Sequence, residues 1–300
     1  MKYFFLYAIA FFIGFKSEAS YEIEKESLRQ QAKEWQETKK ESYKSLDCTI
    51  EAHWFTGWDP ATNKVSGREV HVFRPDNPGK DRPVILLPPT GGMNFLDRQM
   101  GKYFCSRNVT FYILAKFDGF ADKDFDLTRH DRQIRGNTAA LKELIHWIHE
   151  PVNLMGASLG ALYAAAAMGA DPQIGKVVLT VGGTDLAGIL TESELGSVTI
   201  QKTNREKIYH LSSDEEYLQL MRKSIRFDPG IFLSEEKASE RFLLYISNTD
   251  TDVPTKFQKQ LAAQLPKAKK LYFETGHIWT VVRTYLFHRE EIFNFLNDSK

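Results

Sequence analysis

The sequence has no excess of either positive or negative charge. Its 39 Lys and Arg are balanced by 39 Asp and Glu, so no long-range field draws the molecule towards nucleic acid or an anionic bilayer. No nucleic-acid partner is expected. There is also no Gly-rich phosphate loop, no dinucleotide fingerprint and no cluster of metal-ligand residues, which leaves neither a cofactor nor a metal to expect. Repeats and low-complexity tracts are absent. Glycine (19) and proline (11) are too sparse for a collagen-like or mucin-like chain, and 42% apolar content does not describe a disordered one. What remains is a 300-residue chain able to bury a sizeable core, most simply one α/β domain with decorations.

A bilayer-spanning segment is lacking at the start. The apolar run from Tyr3 to Phe15 is too short to cross a membrane but has the length of a secretory h-region. Lys2 precedes it, and Lys16-Ser17-Glu18-Ala19 follows, with small residues at Ser17 and Ala19 where a signal peptidase requires them. We therefore expect a signal peptide over residues 1–19 and an exported protein, periplasmic or extracellular, without a stable membrane anchor after processing. An uncleaved anchor or a buried first helix is the alternative. Only two cysteines occur, Cys48 and Cys105. In an oxidising compartment the pair invites a disulfide, but two buried thiols are equally compatible, because sequence spacing says nothing of Cα separation.

Residues 20–46 are rich in Glu, Lys and Gln, with Tyr21, Ile23, Leu28, Ala32 and Trp35 at loosely helical intervals. They read as an N-terminal helical extension. The main domain is expected over 47–300. Cys48 to Trp58 and Glu69 to Arg74 alternate apolar and polar residues around a breaker-rich segment, the pattern of an antiparallel hairpin. Six short apolar runs then alternate with helical stretches: Pro83 to Leu87, Val109 to Ala115, Val152 to Met155, Lys176 to Val181, Arg241 to Ile246 and Lys270 to Phe273. Such runs fit strands covered on both faces, so the fold class is α/β with a mostly parallel sheet. The stretch 182–240 is far longer than one crossover helix requires. It reads as an insertion, a cap that is apolar beneath (Ile189, Leu190, Leu195, Tyr209, Leu218, Met221) and solvated above.

The chemistry gathers around Ser158. The run Val152 to Met155 leads straight into Gly156-Ala157-Ser158-Leu159-Gly160 and then into the helix-forming Ala161 to Met168. A serine on so sharp a strand-to-helix turn leaves no room for side chains two residues before or after it, and glycine stands at both places. The following helix points its N-terminus at Ser158 and favours developing negative charge.

Here the sequence resembles the α/β-hydrolase family, from about Cys48 to the C-terminus, and the resemblance implies an esterase-like or lipase-like serine hydrolase. Leu86-Leu87-Pro88-Pro89-Thr90-Gly91-Gly92 looks like the family's oxyanion loop, although Pro88 and Pro89 replace the more usual His-Gly and carry no N–H. That assigns the oxyanion donors to the backbone of Thr90, or Gly91, and of Leu159. Ser247 to Pro254 is similar to the family's acid-bearing turn and aligns Asp250 with the triad acid. Asp252, two residues late, and Asp185, one strand earlier, compete with it. His277 stands where the family carries its catalytic histidine, after the last strand and before the helical stretch Ile278 to Leu296. Among the other histidines, His53 and His71 fall in the hairpin, and His288 falls mid-helix. His146 and His149 are three apart on a helix but lack the further ligands of a zinc site.

The resemblance implies a carboxylic ester hydrolase working through Ser158, His277 and Asp250, with a small-molecule or lipid-like ester as substrate. Peptidase or acyltransferase activity uses the same residues, and an inactive hydrolase-fold binding protein is the reading of a different class. Tyr209, Tyr217 and Trp279 are candidates to line an acyl pocket, core packing being the commoner fate of such residues. For export, the expected mature N-terminus is Ser20, and sequencing the N-terminus of protein taken from its native host checks it, intact Met1 being the contrary result.

Overall fold

The computed structural model describes residues 36–45, 47–59, 64–115, 126–168, 171–233 and 239–298. The proposed signal peptide and the part of the N-terminal extension before residue 36 lie outside them.

Nine strands form one sheet: β1 (Gln36–Ser45), β2 (Cys48–Asp59), β3 (Lys64–Pro75), β4 (Val84–Leu87), β5 (Phe111–Leu114), β6 (Val152–Ala157), β7 (Ile174–Thr180), β8 (Phe242–Ser247) and β9 (Lys269–Phe273). Their spatial order is β1-β2-β3-β5-β4-β6-β7-β8-β9. β1, β2 and β3 form an antiparallel meander, β3 meets β5 antiparallel, and every pair from β5 to β9 is parallel. All six apolar runs of the sequence are strands.

The reason lies in how each run divides between two faces. Along β4, Ile85 and Leu87 face one buried cluster while Val84 and Leu86 face the other; Leu154 against Met155, and Leu244 against Tyr245, repeat the division on β6 and β8. A strand apolar at every position is stable only with helices on both sides. On the first face lie α2 (Arg129–Ile148), α3 (Leu159–Met168) and α8 (Thr255–Gln264). The second face holds α1 (Phe95–Cys105), α9 (His277–Phe287) and α10 (Arg289–Asn297). The helical stretch at the C-terminus is thus two helices, and His288 caps their junction instead of lying mid-helix.

The described residues of 182–240 fold as α4 (Leu186–Glu192), α5 (Gly196–Ile208), α6 (Asp214–Ser224), α7 (Pro229–Leu233) and a short 3₁₀ turn. Asp228, ahead of α7, ties back to the start of the segment by accepting from the Thr184 hydroxyl at 2.8 Å and the Asp185 N–H at 3.2 Å, and accepts from the Gly230 N–H at 2.8 Å. Ile189, Leu190 and Met221 join the core, Leu195 and Leu218 pack half-buried on it, and Tyr209 is exposed. Tyr209, expected beneath with the others, is a correction: it follows the end of α5 on the solvated side.

The helical reading of residues 20–46 requires correction over 36–45, which form β1. The sheet therefore begins upstream of residue 47. Without β1, the outer edge of β2 would expose a row of unpaired N–H and C=O groups; pairing runs from Gln36 against Thr56 to Ser45 against Cys48. Glu37 bonds His53 at 2.7 Å, Lys40 pairs with Glu51 at 2.7 Å, and Lys39 stands 4.6 Å from the Trp54 ring. Those Glu and Lys residues suit a helix by propensity, but the long-range ladder decides.

Cys48 and Cys105 form a disulfide, with Cα atoms 6.1 Å apart. It joins the start of β2 to the end of α1 and closes a loop between residues 57 positions apart. In the chain-entropy account this constrains the unfolded state substantially. Replacing both cysteines by alanine is expected to lower stability by about 2–5 kcal/mol, read as a fall in the urea midpoint. An unchanged midpoint would mean that packing alone holds the hairpin to α1.

Candidate active site

Ser158 sits between β6 and α3 with φ of +53°, a left-handed backbone that costs a non-glycine residue about 1–3 kcal/mol. The surroundings enforce it. Its N–H donates to the Thr180 carbonyl on β7 at 2.9 Å, and its own carbonyl accepts from Ala161 at 3.0 Å at the start of α3. A Cβ on Gly156 would stand 2.5 Å from the Gly160 carbonyl oxygen, and a Cβ on Gly160 would stand 2.0 Å from that of Leu87. Neither position admits a side chain. The hydroxyl of Ser158 is left at the sheet's carboxyl edge, where the first N–H groups of α3, that of Leu159 included, have no carbonyl one helical turn earlier.

His277 opens α9. Its Nε2 lies 2.8 Å from the Ser158 Oγ, and its Nδ1 lies 2.7 Å from the Asp250 Oδ2. The three residues form one continuous hydrogen-bonded line. Asp250 lies in the turn after β8 with its carboxylate wholly buried, and Oδ1 accepts the backbone N–H groups of Asp252 at 2.9 Å and Val253 at 3.0 Å. Burial of a charge is tolerated because each oxygen is satisfied.

The two rival carboxylates are engaged differently. Asp252 enters this network through its backbone N–H. Asp185 caps α4 by accepting from Gly188 at 3.2 Å and pairs with Arg222 at 2.9 Å. The acid turn and the histidine turn are themselves stitched together, since the Ser247 hydroxyl donates to the Thr275 carbonyl and the Thr280 hydroxyl donates to the same carbonyl at 3.0 Å.

The loop after β4 is fixed at both ends. The Gly92 N–H donates to Pro89 and the Met93 N–H to Ala115 at 2.8 Å. Asn94 then caps α1 in a reciprocal box with Asp97. Gly91 and Gly92 take φ of +100° and +85°, conformations open to glycine at no steric cost. Thr90 precedes them in this turn, and Gly160 packs on the carbonyls of Leu87 and Pro88 at its start.

The insertion leans on the acid turn from the other side. The Glu194 N–H donates to the Thr251 carbonyl at 2.9 Å, and the Ser193 hydroxyl donates to the Asp252 carbonyl at 2.6 Å. Of the three aromatic candidates, Tyr217 is spent on packing, fully buried with its hydroxyl 3.3 Å from Arg205; Trp279, two residues after His277, is 69% exposed. A cavity of about 210 Å³, lined by Phe55, Val70, Leu144 and Trp147 among others, lies between the hairpin and α2 and includes none of the residues above. Among the described residues no group of three metal-ligating side chains occurs.

Gln258 was not foreseen. It is fully buried on α8, and its Nε2 donates to the Asp250 Oδ2 at 2.7 Å. The available signal was a polar residue on the apolar face of that helix, among Phe257, Leu261 and Ala262.

No protein-family model matches the chain, and no curated protein sequence matches it. Solved structures do. The acetyl xylan esterase from a Paenibacillus species superposes with a TM-score of 0.67 at 14% identity, covering 92% of this chain and 92% of that one. Acetyl xylan esterase 1 from a Thermoanaerobacterium species gives 0.61 at 13% identity, covering 91% and 93%. Lipase A from Candida antarctica gives 0.53 at 9% identity, covering 88% and 82%. The chain has the α/β-hydrolase fold.

The tightness of the turn has a measurable consequence. Gly160→Ala should cost about 3 kcal/mol in urea denaturation, whereas Gly196→Ala, in the first turn of α5 with nothing within 4 Å of its would-be Cβ, should leave stability unchanged or slightly raised.

Proposed function

We propose that the protein is an exported serine hydrolase that cleaves a carboxylic ester through an acyl-enzyme. The observation that carries this reading is the unbroken line from the Ser158 Oγ through His277 to the buried Asp250, at 2.8 and 2.7 Å. Ester is preferred to amide because esterases recur among the structurally similar proteins.

A serine hydroxyl is a weak nucleophile until a base takes its proton. In the proposed reaction His277 Nε2 removes that proton as Oγ attacks the ester carbonyl, and the proton stays on the imidazole. Asp250 holds the ring in the tautomer that leaves Nε2 free and stabilises the imidazolium that forms. The carbonyl oxygen becomes an oxyanion, for which the N–H groups of Leu159 and Thr90 are the donors, each such donor being worth about 3 kcal/mol of barrier. Collapse breaks the ester C–O bond, and His277 returns the proton to the departing alcohol. Water then repeats the cycle on the acyl-serine, releasing the acid and restoring the hydroxyl. Transfer of the acyl group to another alcohol, or attack on a peptide amide, would use the same residues.

The test is labelling by a fluorophosphonate, followed by turnover of p-nitrophenyl acetate. Labelling should occur on Ser158 and vanish in Ser158→Ala, with kcat reduced roughly 10⁴-fold to 10⁶-fold. Labelling undiminished in that variant, or wild-type protein that neither labels nor turns over esters, would refute the reading.

A further inference from the structure

The amide of Gln258 does more than fill a helix face. Its Nε2 donates to the Asp250 Oδ2 at 2.7 Å and to the Val253 carbonyl at 2.8 Å, and its Oε1 accepts the Ser247 N–H at 3.0 Å. The amide orientation is fixed by these partners, since exchanging O and N would set a donor against a donor and an acceptor against two acceptors. Ser247 ends β8 and Val253 lies across the turn, so one side chain spans the turn that carries Asp250. The carboxylate then has four donors, Asp252 and Val253 on Oδ1 and His277 and Gln258 on Oδ2. Gln258 and His277 share one oxygen.

We propose that Gln258 is a positioning residue for the reaction assigned above: it aims the Asp250 Oδ2 at His277 and draws off part of the negative charge that this oxygen offers to the imidazolium. The inference rests on the serine-hydrolase reading. A neutral donor on a carboxylate stabilises its charge, and less of that charge is then available to the ring. Deleting the donor leaves the two backbone N–H groups on Oδ1 to hold the carboxylate in its turn, while Oδ2 is no longer aimed by the amide and keeps its full charge for the protonated ring. The protonated ring is the inactive form of the base, so the acid limb of the kcat/KM profile must move to higher pH. Loss of alignment lowers kcat as well. A residue that only filled space would change stability and leave that limb where it was.

The experiment compares full-length wild type with Gln258→Leu, which keeps the volume and removes the donor, using p-nitrophenyl acetate from pH 4 to 9 beside thermal melts. The expected result is an acid limb displaced upward by roughly half a unit to one unit, kcat reduced about tenfold, and KM little changed. An unmoved limb, or one displaced downward, overturns the proposal. Wild type supplies an independent readout that holds even if the variant does not fold: the side-chain amide resonances of Gln258, assigned by triple-resonance NMR, should shift with the midpoint of the acid limb. Amide resonances that ignore that midpoint also overturn it. Wild type without ester turnover or Ser158 labelling would remove the hydrolase reading and this one together, whereas a labelled, active wild type with an unmoved limb in Gln258→Leu removes this one alone.

Discussion

The contact on which the site depends is that of Gly160 with the carbonyl of Leu87, where an added Cβ would come within 2.0 Å of the oxygen. Because α3 sits this close to the end of β4, the chain has no slack between β6 and the helix, and Ser158 is driven into its left-handed backbone. The same seating serves β7, since Ala161 lies 2.7 Å from where a Cβ of Gly182 would be. The loops after β4, β6 and β7 therefore converge on one helix N-terminus. Ser158 and the loop after β4 are positioned by one act of packing, which is why the strain at Ser158 is tolerated.

Asp250 and His277 reach the site from a different direction. α8 covers one face of the sheet and α9 the other, with β8 and β9 between them, so Asp250 and His277 rest on opposite layers. What brings their turns into register is a short set of polar bonds around Ser247: its hydroxyl to Thr275, its N–H to Gln258, and its carbonyl accepting the Thr255 hydroxyl at 2.8 Å. The buried carboxylate is affordable because each of its oxygens meets two donors.

Legibility in the sequence followed the range of the forces involved. The strands could be read because an uninterrupted apolar run has no other stable home in a two-sided sheet, and the serine turn because its steric demand is written as glycine at 156 and 160. Asp250 was separable from Asp252 and Asp185 only through the pattern of its turn. Beyond that range the sequence falls silent. Gln258 draws its meaning from Ser247, Asp250 and Val253, partners that a helix-period reading cannot supply. The strand β1 is composed of residues that favour a helix locally, and its pairing with β2 overrides them. Likewise the disulfide depended on a 6.1 Å Cα separation that no spacing encodes.

Ser158 and His277 lie 119 positions apart, and the histidine follows the last strand of the sheet. In chain order, every strand that packs the serine turn (β4, β6 and β7) precedes residue 277. The Ser158 hydroxyl meets His277 only where α9 follows β9, the last strand at the sheet edge. A chain cut short before α9 would keep the strands around the serine turn and lose the Ser158–His277 hydrogen bond, so that contact belongs to the completed fold alone.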